Sequence, residues 1–272
     1  MSFLIRRFFR IYPAYWVCLL LYWFCFLLYY GPSHLPSLKT LLWQASLFGF
    51  FNDTPLALAG VEWTLRVEIM FYTVIFIGKC IFKGSFCEKY LYPILLISIL
   101  LPLFLKPFPG SHFGFGFGYV NLFWGFLSLG SAFYFYDKGK ISGKDVAFLC
   151  ALHQVIFWFQ LPFLSRWLIH SHFSSFGILL FLISIKYQKL FSTKYKIIKL
   201  LSSLSYLIYL SHNWMWQRIP RLGLSFPEGY KGLLIFDLYR FIVLIFLCFV
   251  IHIIVEKPLI KIGRKYSSKF GS

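Results

Sequence analysis

Long apolar runs separated by short polar, mostly lysine-bearing stretches recur along the whole chain. A helix needs about 20 such residues to cross the hydrocarbon core of a bilayer, and eight runs approach that length. They are Tyr12 to Tyr30, Trp63 to Phe82, Tyr90 to Leu105, Phe117 to Tyr136, Asp145 to Phe163, Phe173 to Ile185, Leu200 to Trp216 and Leu234 to Val255. The Phe173 run is the shortest of them. Leu41 to Phe51 is apolar but too short to cross, so it is assigned to a re-entrant or interfacial helix. The pattern predicts an all-α, polytopic transmembrane helix bundle of about eight spans.

Charge placement adds direction to that pattern. With the N-terminus cytoplasmic, Arg6, Arg7, Arg10, Lys79, Lys83, Lys89, Lys138, Lys140, Lys144, the five lysines from Lys186 to Lys199 and the tail from Lys257 to Lys269 fall on one side. That side then holds nineteen of the 27 basic residues, and the positive-inside rule places both termini in the cytoplasm. The opposite loops carry Lys39, Lys106, Arg166, Arg218, Arg221 and Lys231, which leaves Arg66 and Arg240 inside spans or at their edges. The first apolar run is long and lacks a small-residue cleavage site, so a removed signal peptide is not expected. No internal repeat, low-complexity linker or appended soluble domain interrupts residues 1–272, which read as one domain.

Composition agrees: 59% of residues are hydrophobic, 23% aromatic and 13% charged, too apolar for a soluble domain of this length. The net charge of +18 does not point to nucleic acid, because the cations lie between apolar segments rather than on a water-exposed domain. Six cysteines form no CxxC or other metal-ligand spacing, so they are expected to be reduced and no metal site is predicted.

Against this background a few polar residues stand out. Glu68 lies in the apolar run from Trp63 to Tyr72, where an ionisable group costs about 2.5–3.5 kcal/mol to insert and is therefore a functional candidate. Thr64, Glu68, Phe71 and Tyr72 share a helical face. Glu68 reads either as a packing carboxyl, neutral or paired with an arginine from another helix, or as a general base or the residue that orients one. Glu62 and Arg66 form an i, i+4 pair expected to neutralise itself at the outer interface.

Arg7 and Arg10 are three residues apart at the start of the first span. They either set orientation and touch anionic headgroups, or clamp a phosphate-bearing ligand through bidentate hydrogen bonds. Pro13 is expected in the opening turn of the span. Ser205, Tyr209 and His212 share a face of the seventh span, with Ser211 adjacent. His212 is either an interface residue or a catalytic one. His153 and His252 read as packing or edge residues, although Glu256 follows His252 by four. The run Phe113 to Gly118 superficially resembles a phosphate loop but follows no strand, and reads as an outer loop.

Four blocks resemble the membrane acyltransferase-3 family, which includes bacterial O-acetyltransferases of surface polysaccharides. Arg7 to Pro13 is similar to its R-x-x-R-I-x-P element, Trp63 to Tyr72 to its W-T-L-S-V-E-x-x-F-Y element, Ser205 to His212 to its S-Y-x-x-Y-L-x-H element and Val255 to Pro258 to its closing E-K-P. The resemblance implies an acyl group, usually acetyl, taken from cytoplasmic acyl-CoA (acetyl-CoA) and delivered to a hydroxyl of an extracytoplasmic glycan or lipid-linked saccharide. In that scheme Arg7 and Arg10 hold the phosphates of the donor. Glu68, Tyr72 and His212 line or orient the path to the acceptor, so that the arginines and Glu68 form two ends of one conduit.

The family usually has two further helices ahead of the arginine element, the first bearing a catalytic histidine. Eight spans and a start at Met1, five residues before Arg6, are read as a truncated gene product, a misplaced start codon or a degenerate relative. Arg66 stands where the family has a small residue. The resemblance also implies the bacterial cytoplasmic (inner) membrane as location. The alternatives are an inactive remnant and a non-enzymatic transporter or scaffold, although no matched halves with broken helices suggest a transporter. Oligomeric state is not legible.

Overall fold

A computed structural model describes residues 2–49, 54–81, 90–104, 117–160, 175–180, 183, 196–218 and 230–269. Every regular element among them is helical. The main helices are α1 (Ser2–Tyr30), α2 (Leu38–Ser46), α3 (Trp63–Ile81), α4 (Leu91–Phe104), α5 (Phe117–Asp137), α6 (Gly143–Gln160), α7 (Lys196–Arg218), α8 (Tyr230–Ile251) and α9 (Lys257–Lys269). A helix satisfies its own backbone, which is why apolar sequence of this kind adopts it.

Two stretches among the described residues are long and apolar enough to cross a membrane by length and composition, Ser2–Tyr30 and Gly232–Lys269. Along α8, Leu234, Leu238, Phe241, Ile242 and Phe246 are all exposed. A continuous apolar face of this size is unfavourable in water and at home in lipid. Residues 173–174, 181–182 and 184–185 of the Phe173 to Ile185 run, and residues 113–116 of the glycine-rich stretch, lie outside the described residues.

The chain divides into two compact units, one made of Met1–Gly49, Thr54–Trp63 and Thr193–Ser272, the other of Phe50–Asp53 and Thr64–Ser192. In the first unit α1 starts at Ser2, ten residues before the apolar run that announced it. Pro13 therefore lies inside the helix and not in its opening turn. Its missing N–H and its ring disrupt the bond to the carbonyl of Phe9. The early start follows from packing: Phe9 stacks on Tyr266 of α9 with ring centroids 6.3 Å apart, and a Cβ added at Gly263 would lie 2.5 Å from the Phe9 Cβ. Only a residue without a side chain permits so close an approach.

The short apolar segment assigned to an interfacial helix is α2. Ser37 caps its N-terminus by accepting from the Thr40 N–H, and Leu47 closes its C-terminus with a φ of 62°. A helix end in apolar surroundings leaves carbonyls without donors. Three side chains on one face of α1 supply them: Tyr12 to the Ser46 carbonyl at 2.8 Å, Tyr15 to that of Gln44 at 2.8 Å and Trp16 to that of Ala45 at 2.9 Å.

The second unit is built differently. Leu95 and Ile99 of α4, Leu129, Ala132 and Phe133 of α5, and Val146, Leu149, Cys150 and Ile156 of α6 form one buried apolar cluster. A short polar seam crosses it: Ser98 and Ser128 lie 2.6 Å apart, and the Trp124 indole donates to Ser98 at 2.8 Å. α6 begins with a reciprocal cap, in which Asp145 accepts from the Ser142 N–H at 3.0 Å and the Ser142 hydroxyl accepts from the Asp145 N–H at 3.2 Å.

Candidate functional site

The cationic end of the first unit is assembled by α1 and α9. Arg6 and Arg10 are exposed and Arg7 is half-buried, its guanidinium 5.4 Å from the centre of the Phe3 ring. On α9 Lys257, Lys261, Arg264, Lys265 and Lys269 are exposed, and no carboxylate occurs in residues 2–13 or 257–269. Because Phe9 meets Gly263 and Tyr266, the arginines one turn from Phe9 and the cations flanking Gly263 share one end of the unit. Their mutual repulsion favours a polyanion there.

Glu68 is half-buried on α3, and its carboxylate accepts from the Tyr72 hydroxyl four residues on. The sequence reading passed over Tyr72 as that partner, although the i, i+4 spacing contained it. Phe71, on the same stretch, packs edge-on against Trp124 with centroids 5.0 Å apart. Glu68 and Tyr72 belong to the second unit, whereas Arg7, Arg10 and His212 belong to the first.

His212 is exposed on α7, and its Nδ1 donates to the Tyr209 carbonyl at 2.7 Å. Its neighbours on that face have structural work. Tyr209 donates to the Val61 carbonyl at 2.9 Å and Asn213 to that of Ala59 at 2.8 Å. They hold a turn in which Leu58 and Ala59 adopt φ values of 45° and 53°, a left-handed conformation that non-glycine residues disfavour. Tyr206 reaches back to the Ile11 carbonyl at 2.9 Å. Ser205 is exposed and bonds the Ser202 carbonyl.

Glu62 also serves that turn, accepting from the Ala57 N–H. It is fully buried and Arg66 is 2% exposed. His153 is a buried residue, its ring 4.4 Å from that of Phe126 and against Gly125, where an added Cβ would lie 2.3 Å from the imidazole. Arg240 lies over the Phe236 ring at 3.9 Å and 3.4 Å from Asp237, which accounts for a cation inside an apolar helix.

The structure adds one group that sequence reasoning set aside. Between α8 and α9 the residues His252–Glu256 form a π-helical turn, and the Lys257 N–H bonds to the His252 carbonyl. Pro258 cannot donate to the carbonyl of Ile254, and the wider turn accommodates that break. Inside it His252 Nδ1 lies 2.7 Å from Glu256 Oε2, with the carboxylate 5% exposed. Beside the pair Ser211, fully buried, lies 3.6 Å from the Cys18 thiol and also bonds Cys248, and the charge of Glu256 is felt at both thiols.

Among the described residues no group of three or more metal-ligating side chains gathers. Comparison with family models, with curated proteins and with solved structures finds no match.

Proposed function

We propose that this chain is an integral-membrane O-acyltransferase, multi-pass in the bacterial cytoplasmic membrane, with both termini cytoplasmic and about eight spans. It moves an acyl group, acetyl in the simplest case, from acyl-CoA to a hydroxyl of an extracytoplasmic glycan or lipid-linked saccharide. The observation that carries the reading is the acid-free cationic end formed by α1 and α9 around Phe9. A nucleotide thioester bears several phosphates, and guanidiniums bind such groups by paired hydrogen bonds. Arg7 and Arg10 take the donor phosphates. The four-block resemblance supplies the rest of the assignment, in which Glu68, oriented by Tyr72, and His212 act toward the acceptor.

The competing reading, an inactive or scaffolding bundle, draws on Tyr206, Tyr209 and Asn213 being committed to backbone carbonyls. Expression in an acetylation-negative bacterial host separates the two. Mass spectrometry of surface glycan is expected to show O-acetyl esters with the wild-type chain. Glu68→Gln should lower their yield through loss of its hold on the acceptor, and Tyr72→Phe should lower it less. Glycan without esters in the wild-type strain, with the protein present in the membrane, contradicts the enzyme reading.

A further inference from the structure

Attack of a hydroxyl on a thioester requires a base, and the first unit contains a side-chain pair built like one. His252 Nδ1 donates to Glu256 Oε2 at 2.7 Å, which fixes the tautomer and leaves Nε2 with a free lone pair. Nε2 makes no hydrogen bond among the described residues, and the His252 side chain keeps 17% of its surface open. An ionisable pair at the end of an apolar helix is costly unless it has a task, and π-turns of this kind concentrate at functional positions.

Position agrees with that role. Arg10, Ala14 and Cys18 succeed one another at four-residue steps along one face of α1, so Cys18 lies about 12 Å beyond Arg10. α1 packs against the π-turn. A donor whose phosphates rest on Arg7 and Arg10 would extend its thioester arm in this direction.

We propose that His252 is the general base of the transfer and that Glu256 is the residue that positions it; the inference rests on the acyltransferase reading. Nε2 takes the proton of the acceptor hydroxyl as its oxygen bonds the thioester carbonyl carbon. The tetrahedral adduct then collapses, the C–S bond breaks, and the imidazolium returns the proton to the leaving thiolate. The products are an ester and free CoA thiol.

The test uses the full chain in nanodiscs, acetyl-CoA as donor and maltose as a hydroxyl probe beside water, with released CoA thiol and acetyl-CoA binding measured separately. His252→Asn should cut thiol release by about 10²–10⁴-fold while acetyl-CoA affinity stays within about twofold, because the base acts only in the chemical step. Glu256→Gln should lower kcat while acetyl-CoA affinity again stays within about twofold, because the carboxylate acts only by positioning the base. Glu256→Asp should restore part of the rate. His252→Gln, checked for an unchanged size-exclusion profile, guards against a folding defect. Wild-type release from the asparagine or glutamine variant overturns the inference and leaves the acyltransferase reading standing. So does a wild-type protein that binds acetyl-CoA yet frees no thiol while acetylating glycan in cells. A wild-type protein that neither binds acetyl-CoA nor esterifies glycan overturns the reading and the inference together.

Discussion

The two units solve the same problem, burial of backbone in apolar surroundings, by different means. In the unit formed by α4, α5 and α6 the helices satisfy themselves, and cohesion comes from Leu, Ile, Val and Phe side chains with one short Ser98–Ser128–Trp124 seam. In the unit containing α1, α7, α8 and α9 the described backbone departs from the α-helix at, among other places, the end of α2, the 57–61 turn and the π-turn. Each break is answered by named donors or acceptors, Tyr12, Tyr15 and Trp16 at the first and Tyr209, Asn213 and Glu62 at the second. Irregular backbone at such depth survives only when protein groups replace water. Both units also hold polar side chains in place, Glu68 on Tyr72 in the second and His252 on Glu256 in the first.

Substitutions that separate those two modes of cohesion follow in order of expected effect. Gly263→Leu forces a branched side chain into the space where a Cβ already lies 2.5 Å from Phe9. It should destabilise the first unit by about 3 kcal/mol, at the upper end of overpacking costs, and lower the thermal midpoint in detergent. An unchanged midpoint would show that α1 and α9 are not so closely packed. Tyr15→Phe removes one of the two donors of the Gln44 carbonyl, which keeps the Leu47 N–H at 3.1 Å, and should cost about 1.5 kcal/mol, the upper end of a typical hydrogen bond. Proteolysis near α2 would report that loss locally.

In the second unit the corresponding strain is steric. Gly125→Ala meets the His153 imidazole at 2.3 Å and should cost about 1–2 kcal/mol. In a His153→Ala background the same change should be close to neutral, and a cost that persists there would place the clash elsewhere. Ser98→Ala is expected to have the smallest effect, about 1 kcal/mol, because Ser128 keeps its bond to the Trp124 carbonyl at 3.3 Å. The fluorescence of Trp124 should shift as its indole loses Ser98.

Apolar run length predicted the helices well, since α3, α4, α5 and α6 begin within about two residues of the runs that announced them. Hydropathy could not place the start of α1, where arginines interrupt the run but Phe9 packs against α9. It was equally blind to the donors of α2, because Tyr12, Tyr15 and Trp16 reach carbonyls 29 to 34 residues away. The candidate site was legible in part where partners lie on one helical turn. The Glu68–Tyr72 and His252–Glu256 contacts are both four-residue steps; the spacing showed the second pair, whereas Glu68 was read as having no partner four residues away, because a phenol is not an ionic partner. The Ala57 N–H bond to Glu62 lay beyond the sequence, because no spacing rule describes a turn that needs an acceptor.

Binding of acetyl-CoA to the purified chain in nanodiscs, compared with the Arg7→Ala/Arg10→Ala variant, tests the central claim most directly. Loss of two charge-assisted phosphate contacts, each about 1.5–3 kcal/mol, should weaken affinity by about 10²-fold or more and flatten its dependence on salt. Equal affinity of the two proteins for acetyl-CoA would contradict the assignment of α1 as the donor site.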